Sequence, residues 1–278
     1  LTRYRDLVQD VPVSLSEAKA LHAEMNEKLK PSVDDRGEIE LIEQTELCFQ
    51  WLAGVTDGEY VALRTVLGEI HKGQLNDLDL FAGSKEDDPR FLANEDELIT
   101  YTDQVAGSVG RFWTEVAGRA NPNFTSMSKE AMMDKASAYG RGLQLVNIIR
   151  DLGDDLRNGR CYLPRTELKE GGWTEGSWKP NQGTIMVVAG DWMHRAEDGI
   201  RAGIRYAESL NHRRLKLATA MPALIGAKTL RAIRSSQTSF LTKRIKISRG
   251  EIRSLLHGTM QRVLFGQQLM PYFDRILE

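Results

Sequence analysis

The chain of 278 residues is 41% hydrophobic and 27% charged, with a formal net charge of -2. This composition is typical of a globular protein with a sizeable core, and the near-neutral charge gives no support for nucleic-acid binding. Two cysteines are too few for a disulfide framework, and no apolar run approaches the roughly 18 residues of a membrane span. We therefore expect a cytoplasmic protein, with peripheral membrane association left open.

Nearly every segment has the apolar spacing of an amphipathic helix, and none alternates as a strand. The predicted helices span residues 1–9, 15–30, 38–53, 58–74, 95–118, 128–158, 183–209, 212–235 and 249–275. The longest break, 164–183, is either a flap near the preceding helix or a plain connection. With no repeat and no shift in composition, the pattern predicts one all-α domain spanning residues 1–278.

The most informative segment is 140–155, where Asn147, Asp151 and Asp155 follow one another at four-residue intervals. On an α-helix each such step turns the side chain by about 40° and rises about 6 Å, so these groups form one row, which Gln144 extends. Carboxylate and amide oxygens suit Mg²⁺, which usually needs substrate phosphates as well. The row predicts half of a metal-bridged diphosphate site, although DxxxD alone is more often a solvated acidic face.

Neighbouring residues favour the metal site. Gly140 and Gly142 lie inside the helical pattern, each at a cost of about 1 kcal/mol relative to alanine, which indicates close approach by a helix or a ligand. Arg150, Arg157 and Arg160 surround the acids, as expected where diphosphate oxygens need partners.

A second segment, Tyr101 to Gly110, places Ala106, Gly107 and Gly110 on one smooth helix face. Such a face either packs tightly on another helix or lines a cavity for a long apolar substrate. Tyr101 by itself is interpreted most simply as a core aromatic with a satisfied hydroxyl. The basic segment 243–249 can reach a diphosphate, but we favour the simpler interpretation that it solvates a loop.

Together these segments resemble the squalene/phytoene synthase family of head-to-head prenyl-diphosphate condensing enzymes. The resemblance covers residues 38–265 and rests on GQLNDL (73–78), YTDQVAGSVG (101–110), GRGLQLVNIIRDLGDD (140–155) and GRCYLP (159–164). A weaker match, LIGAKTL (224–230), is similar to the bacterial squalene-synthase-type branch.

The resemblance implies an all-α isoprenoid-synthase fold, a helical bundle around a central cavity, with two acidic motifs that bind Mg²⁺ and substrate diphosphates. On matching positions, the metal ligands would be Asn147, Asp151 and Asp155. Gln144 and Arg150 would contact diphosphate, and Tyr101 would be the catalytic tyrosine.

The implied reaction joins two prenyl diphosphates, with farnesyl diphosphate as the expected substrate, and releases pyrophosphate. The C30 product would be squalene, made with NADPH, or presqualene diphosphate or hydroxysqualene. The alternatives are a phytoene or dehydrosqualene synthase, a terpene cyclase, and a helical scaffold that kept the fold without the chemistry. Peripheral membrane contact would help to release an apolar product.

The first acidic motif has two possible positions. Asp6 and Asp10 fit its D-x-(I/L/V)-x-D form. Because the chain begins inside a helical pattern at Leu1, native helices are also expected upstream, and the family's following helices fit slightly better with the motif there. In that case this chain lacks half of its metal site and would be inactive.

Overall fold

The computed structural model describes residues 2–9, 13–55 and 57–278, and these are predominantly helical. The helices are α1 (Thr2–Gln9), α2 (Leu15–Lys28), α3 (Arg36–Glu43), α4 (Thr45–Ala53), α5 (Asp57–Leu80), α6 (Glu95–Thr102), α7 (Ser108–Ala120), α8 (Lys129–Arg157), α9 (Arg165–Glu170), α10 (Gln182–Glu208), α11 (Arg213–Ser236), α12 (Arg249–Leu264) and α13 (Met270–Leu277). A π-helical turn, Asp103–Gly107, joins α6 to α7. The predicted all-α class is confirmed.

The chain divides into two compact units, residues 1–75 and residues 76–278. The first unit buries Leu7, Val8, Phe49 and Leu52 where α1, α2 and α4 meet. The one-domain organisation expected from the sequence stays a prediction.

The second unit is built around α8, which packs chiefly on α10 and also on α7 and α11. Ile149, Leu152 and Leu156 face the core from α8 and are fully buried. Two glycines allow α8 and α10 to approach closely, because a Cβ atom on Gly142 would lie 2.6 Å from the backbone of Gly199. α8 is thus held along its length by neighbours that leave one face for other groups.

Several predicted boundaries differ from those observed. The predicted helix 38–53 breaks at Gln44, whose ψ of 2° is not helical. The predicted helix 249–275 ends at Leu264 because Gly266 adopts a φ of 66°, the left-handed conformation that stops helices, before Pro271 opens α13. The break at 164–183 contains α9 and buries Trp173 and Trp178 against the core.

One short pair of strands was not predicted, because two residues are too few to show alternation. β1 (Arg90–Phe91) pairs in parallel with β2 (Arg160–Cys161) and fixes the chain that follows α8. None of the helices in the described part of the chain is long and apolar enough to cross a membrane.

We expect Gly142→Ala to lower the free energy of unfolding by about 1 to 3 kcal/mol, because its Cβ would force α8 and α10 apart. Urea denaturation measures the change. Gly190→Ala is the matched control: Gly190 lies within α10 with open space around it, so this variant should gain about 0.5 to 1 kcal/mol. Equal effects of the two substitutions would contradict the close approach.

Candidate active site

The polar row on α8 lies at the edge of the core. Gln144, Asn147, Asp151 and Asp155 are all half-buried, whereas the residues on the opposite face of the helix are fully buried. The predicted helix 128–158 closely matches α8 (Lys129–Arg157), so the four-residue spacing places these groups along one face as expected. The row is neither in the core nor freely solvated.

Asp151 is paired with two arginines. Arg150 donates from Nε at 3.0 Å and from Nη2 at 2.6 Å, and the Nε of Arg244 lies 2.8 Å from Oδ1 of the same carboxylate. The basic segment 243–249 therefore does more than solvate a loop, since one of its members reaches the acidic row. Ile245 packs against the core beside Arg244 and fixes that part of the segment.

Asp155 differs from Asp151 in the charges that surround it. Burial raises its pKa to about 7, and the negative charges of Asp151, Asp77 and Asp154 add to the effect, while Arg160 opposes it. Arg160 only partly offsets the burial and the like charges, and a bound divalent cation would supply further positive charge. In the described part of the chain, no three carboxylate, histidine or cysteine side chains cluster tightly enough to hold a metal by themselves.

Tyr101, at the end of α6, belongs to a group of aromatic and acidic side chains. Its ring stacks on Tyr162, with centroids 5.0 Å apart and planes 24° apart. The Tyr162 hydroxyl donates to Oδ1 of Asp77 at 2.5 Å, and Nη1 of Arg160 lies 3.7 Å from Oδ2. Tyr101 therefore stacks on a tyrosine whose hydroxyl is hydrogen-bonded to a carboxylate near the end of α5.

The Tyr101 hydroxyl is held as a neutral phenol. Burial raises its pKa, as does the charge of Asp77, while interactions with Tyr162 and Gln144 partly offset the increase. Gln144 therefore links Tyr101 to the α8 row. The sequence offered a signal for Tyr162 and Asp77, since they lie in the GRCYLP and GQLNDL segments, but neither segment indicates its partner.

The π-helical turn is fixed by Asp103. Arg111 donates to both carboxylate oxygens at 2.9 Å, Ser137 donates at 2.6 Å and Arg141 at 3.0 Å. Burial alone would raise the pKa of Asp103, but these hydrogen bonds outweigh it and lower the pKa. The network ties the turn to α7 and α8, and π-helical turns are frequent at functional sites.

An apolar pocket of 420 Å³ continues from the polar row. It lies among the π-helical turn and helices α7, α8, α10 and α11, and its lining includes Val105, Ala106, Val109, Gly110, Trp113, Ala136, Tyr139, Leu143, Gln144, Asn147, Tyr206 and Pro222. From Ala136 to Asn147 it follows α8 for roughly 16 Å. Only the end at Gln144 and Asn147 belongs to the polar row.

The small-residue face both lines this pocket and packs on a neighbouring helix, while a long apolar substrate in the pocket stays a prediction. Ala106 and Gly110 line the pocket, and Gly110 also packs against the Ala136 backbone of α8. A second pocket, of 460 Å³ and more polar, lies beside Tyr101, Tyr162 and Asp77.

The N-terminal acid pair is only partly described. Asp6 lies on α1, is exposed and pairs with Arg5 at 2.7 Å. Asp10 lies outside the described residues. Its role as the first acidic motif therefore stays a prediction.

Comparison with known proteins gives the family. A profile described as Squalene/phytoene synthase matches residues 1–251. The chain belongs to the squalene/phytoene synthase family, a prenyltransferase family that condenses prenyl diphosphates head to head. The resemblance drawn from the sequence segments is confirmed.

Curated relatives of this chain include phytoene synthases. The chloroplastic phytoene synthase 2 of Oryza sativa is 46% identical over 80 residues, which are 29% of this chain and 20% of that protein. The phytoene synthase of Mycobacterium tuberculosis is 31% identical over 158 residues, which are 55% of this chain and 49% of that protein. The chain thus spans about half, or less, of the length of these relatives.

A solved structure of TcSQS, a squalene synthase with a bound ligand, has a TM-score of 0.70 at 17% identity. The match covers 99% of this chain and 80% of that one. The likeness shows the fold, and the isoprenoid-synthase fold expected from the sequence is confirmed.

We expect Asp155→Asn to raise the free energy of unfolding of the metal-free protein at about pH 8. A carboxyl whose pKa rises on folding binds its proton more tightly when folded, so its contribution to stability falls as the pH rises toward about 7. Asparagine does not ionise and so avoids that loss. The free energy of unfolding should therefore rise by about 1 to 3 kcal/mol at about pH 8 and change little near pH 4. Urea denaturation at both pH values measures it.

Asp154→Asn is the matched control. Asp154 pairs with Arg157, so its replacement should bring no gain at high pH. A gain at Asp155 that did not change with pH would contradict the explanation.

Proposed function

We propose that this protein is a Mg²⁺-dependent prenyltransferase that condenses two allylic prenyl diphosphates head to head and releases pyrophosphate. The main support is one continuous arrangement, in which a half-buried row of oxygen ligands on α8 leads into an apolar pocket. A prenyl diphosphate has the same division into a charged head and an apolar chain.

Asn147, Asp151 and Asp155 would hold Mg²⁺ together with substrate phosphate oxygens. The donor set fits a hard cation, and the raised pKa of Asp155 is the sign expected of a carboxyl placed there for a positive partner. The bound ion would neutralise the diphosphate and make it a better leaving group.

Gln144, Arg150 and Arg244 would contact the diphosphate. Both guanidinium groups already lie at Asp151, and arginine binds phosphate oxygens in the same forked geometry as a carboxylate. A diphosphate entering the row would therefore meet donors positioned for it.

The apolar pocket would keep water from the allylic cation formed when the diphosphate leaves. The C2–C3 double bond of the second substrate attacks this cation, and loss of a proton closes a cyclopropane ring. Tyr101 would accept that proton at its hydroxyl oxygen while passing its own proton through Tyr162 to the carboxylate of Asp77. The path would end at Asp77, beside the second pocket.

Two assignments of the substrate chain length and the final product are open. The sequence predicted farnesyl diphosphate and a C30 product, with NADPH needed for squalene. The two curated relatives named above are phytoene synthases. Their names favour the alternative in which the cyclopropane intermediate rearranges and loses a proton, without NADPH. A nicotinamide site finds no support in GRGLQ, because that segment lies within α8 and not in a turn after a strand.

The first experiment is product analysis by mass spectrometry. Purified protein is incubated with Mg²⁺ and farnesyl or geranylgeranyl diphosphate, with and without NADPH. A product with twice the carbons of its substrate supports head-to-head condensation, whereas a product from a single substrate would indicate a terpene cyclase. No product and no Mg²⁺-dependent diphosphate binding would indicate a scaffold.

In the same assay we expect Asp155→Ala to lower turnover at least about 100-fold while the far-ultraviolet circular dichroism stays unchanged. The loss follows from removal of one proposed metal ligand. Asp154→Ala, next to it but paired with Arg157, should keep most of the activity. Normal turnover of the Asp155 variant would remove the metal-ligand assignment.

Tyr162→Phe tests the proton path, because it keeps the ring stacked on Tyr101 but removes the hydroxyl that reaches Asp77. We expect kcat to fall about 100-fold with little change in KM. Asp77→Asn, which still accepts a hydrogen bond but is a poor proton acceptor, should behave in the same way. Tyr272→Phe on α13 is the control, and unchanged kcat in both test variants would exclude the path.

We also propose that the protein contacts membranes peripherally, since a hydrocarbon product has to leave the pocket for an apolar phase.

A further inference from the structure

Helix α12 exposes an apolar stripe that the proposed chemistry does not use. Leu256, Met260 and Leu264 repeat every four residues and therefore lie along one face, and Phe265 follows directly. All four are exposed, and Phe265 is the most exposed large hydrophobic residue in the described part of the chain, at 77%. Leu255, Thr259 and Val263, about 100° around the helix from the stripe, are buried. The stripe is therefore separate from the core-facing side of α12.

Cations border this stripe. Lys243, Lys246, Arg249 and Arg253 are exposed, and no ion pair involves them among the described contacts. Arg249 and Arg253 lie on the same face of α12 as the apolar residues, one to two turns before them. The surface therefore combines apolar side chains with free positive charge, in a chain whose net charge is -2.

Within this segment, no acid in the described part of the chain pairs with these cations. Glu251 is the only acidic residue between 242 and 265, and it is occupied elsewhere. Its carboxylate accepts from the Ser248 backbone at 2.9 Å and lies 3.3 Å from Nζ of Lys228. The positive charge is available to an outside partner.

The charge pattern distinguishes among partners. In a symmetric dimer across this face, the same patch would meet itself and bring cations close to cations. An anionic bilayer would neutralise the cations at its headgroups and receive the apolar side chains at the boundary with the acyl chains.

We propose that the exposed face of α12, with the basic segment before it, docks on the surface of an anionic membrane. Lys243, Lys246, Arg249 and Arg253 contact the headgroups, and Leu264 and Phe265 enter the interface. The inference rests on the membrane contact in the proposed function and identifies the surface responsible. Its test measures lipid binding and does not require the condensation reaction.

The test is co-sedimentation of the full chain with vesicles of phosphatidylcholine alone or mixed with phosphatidylserine. We expect binding to the anionic vesicles only, and weaker binding at higher salt. The double variant Arg249→Glu with Arg253→Glu should lose at least about tenfold in affinity. The control, Arg213→Glu with Arg214→Glu at the exposed start of α11, changes charge equally and should keep more of the binding.

Leu264→Ser with Phe265→Ser tests the apolar part, with Val187→Ser as the control because Val187 is similarly exposed on α10. We expect the double variant to lose at least about tenfold in affinity for anionic vesicles and the control to keep it. Circular dichroism shows whether each variant is folded, and product formation in detergent reports the proposed activity separately.

Equal binding to both vesicle types, or equal losses in the test and control variants, would overturn the proposal. Analytical ultracentrifugation tests whether a second copy of the chain covers this face. A dimer that the Leu264 and Phe265 changes dissociate, with vesicle binding unaltered, would assign the face to a second copy of the chain and equally overturn the proposal.

Discussion

The candidate site depends on the close packing of α8 against its neighbours. Gly142 meets Gly199 of α10, and the backbone of α8 at Ala136 meets Gly110 of α7. These contacts allow a long helix to be surrounded by others while one of its faces stays half-buried. Side chains on that face are removed enough from water to interact strongly, but are still accessible to a ligand.

Charge is distributed unevenly in this environment. Asp103 and Asp151 have arginine partners, and those at Asp151 are the ones proposed to meet the diphosphate. Burial raises the pKa of Asp155, the charges of nearby acids add to the effect, and Arg160 offsets only part of it. Stability elsewhere in the second unit, above all in the core face of α8, offsets the cost of ionising this carboxyl. A half-buried carboxyl with a raised pKa is expected where a site binds a charged ligand.

Local features could be predicted from the sequence, and long-range ones could not. The α8 row follows from a four-residue spacing, which helix geometry converts directly into a position. The contact between Tyr162 and Asp77 joins residues 85 positions apart, and no periodicity encodes such a pair. Arg244 was assigned to a solvated loop for the same reason, since nothing near it in sequence indicates Asp151. The breaks at Gln44 and at Gly266 were missed because the apolar pattern continues across them.

The π-helical turn has a consequence for the tolerance of this chain to insertion and deletion. Such a turn contains one residue more than an α-helical turn. Because the wider turn absorbs that residue, deleting one residue from the turn and relaxing it to α-helix would leave Tyr101 and Gly110 in nearly the same relative orientation. The same deletion within an ordinary turn of α8 would rotate the groups on either side of it by about 100°. The junction between α6 and α7 is therefore the part of the site that tolerates a change in chain length best.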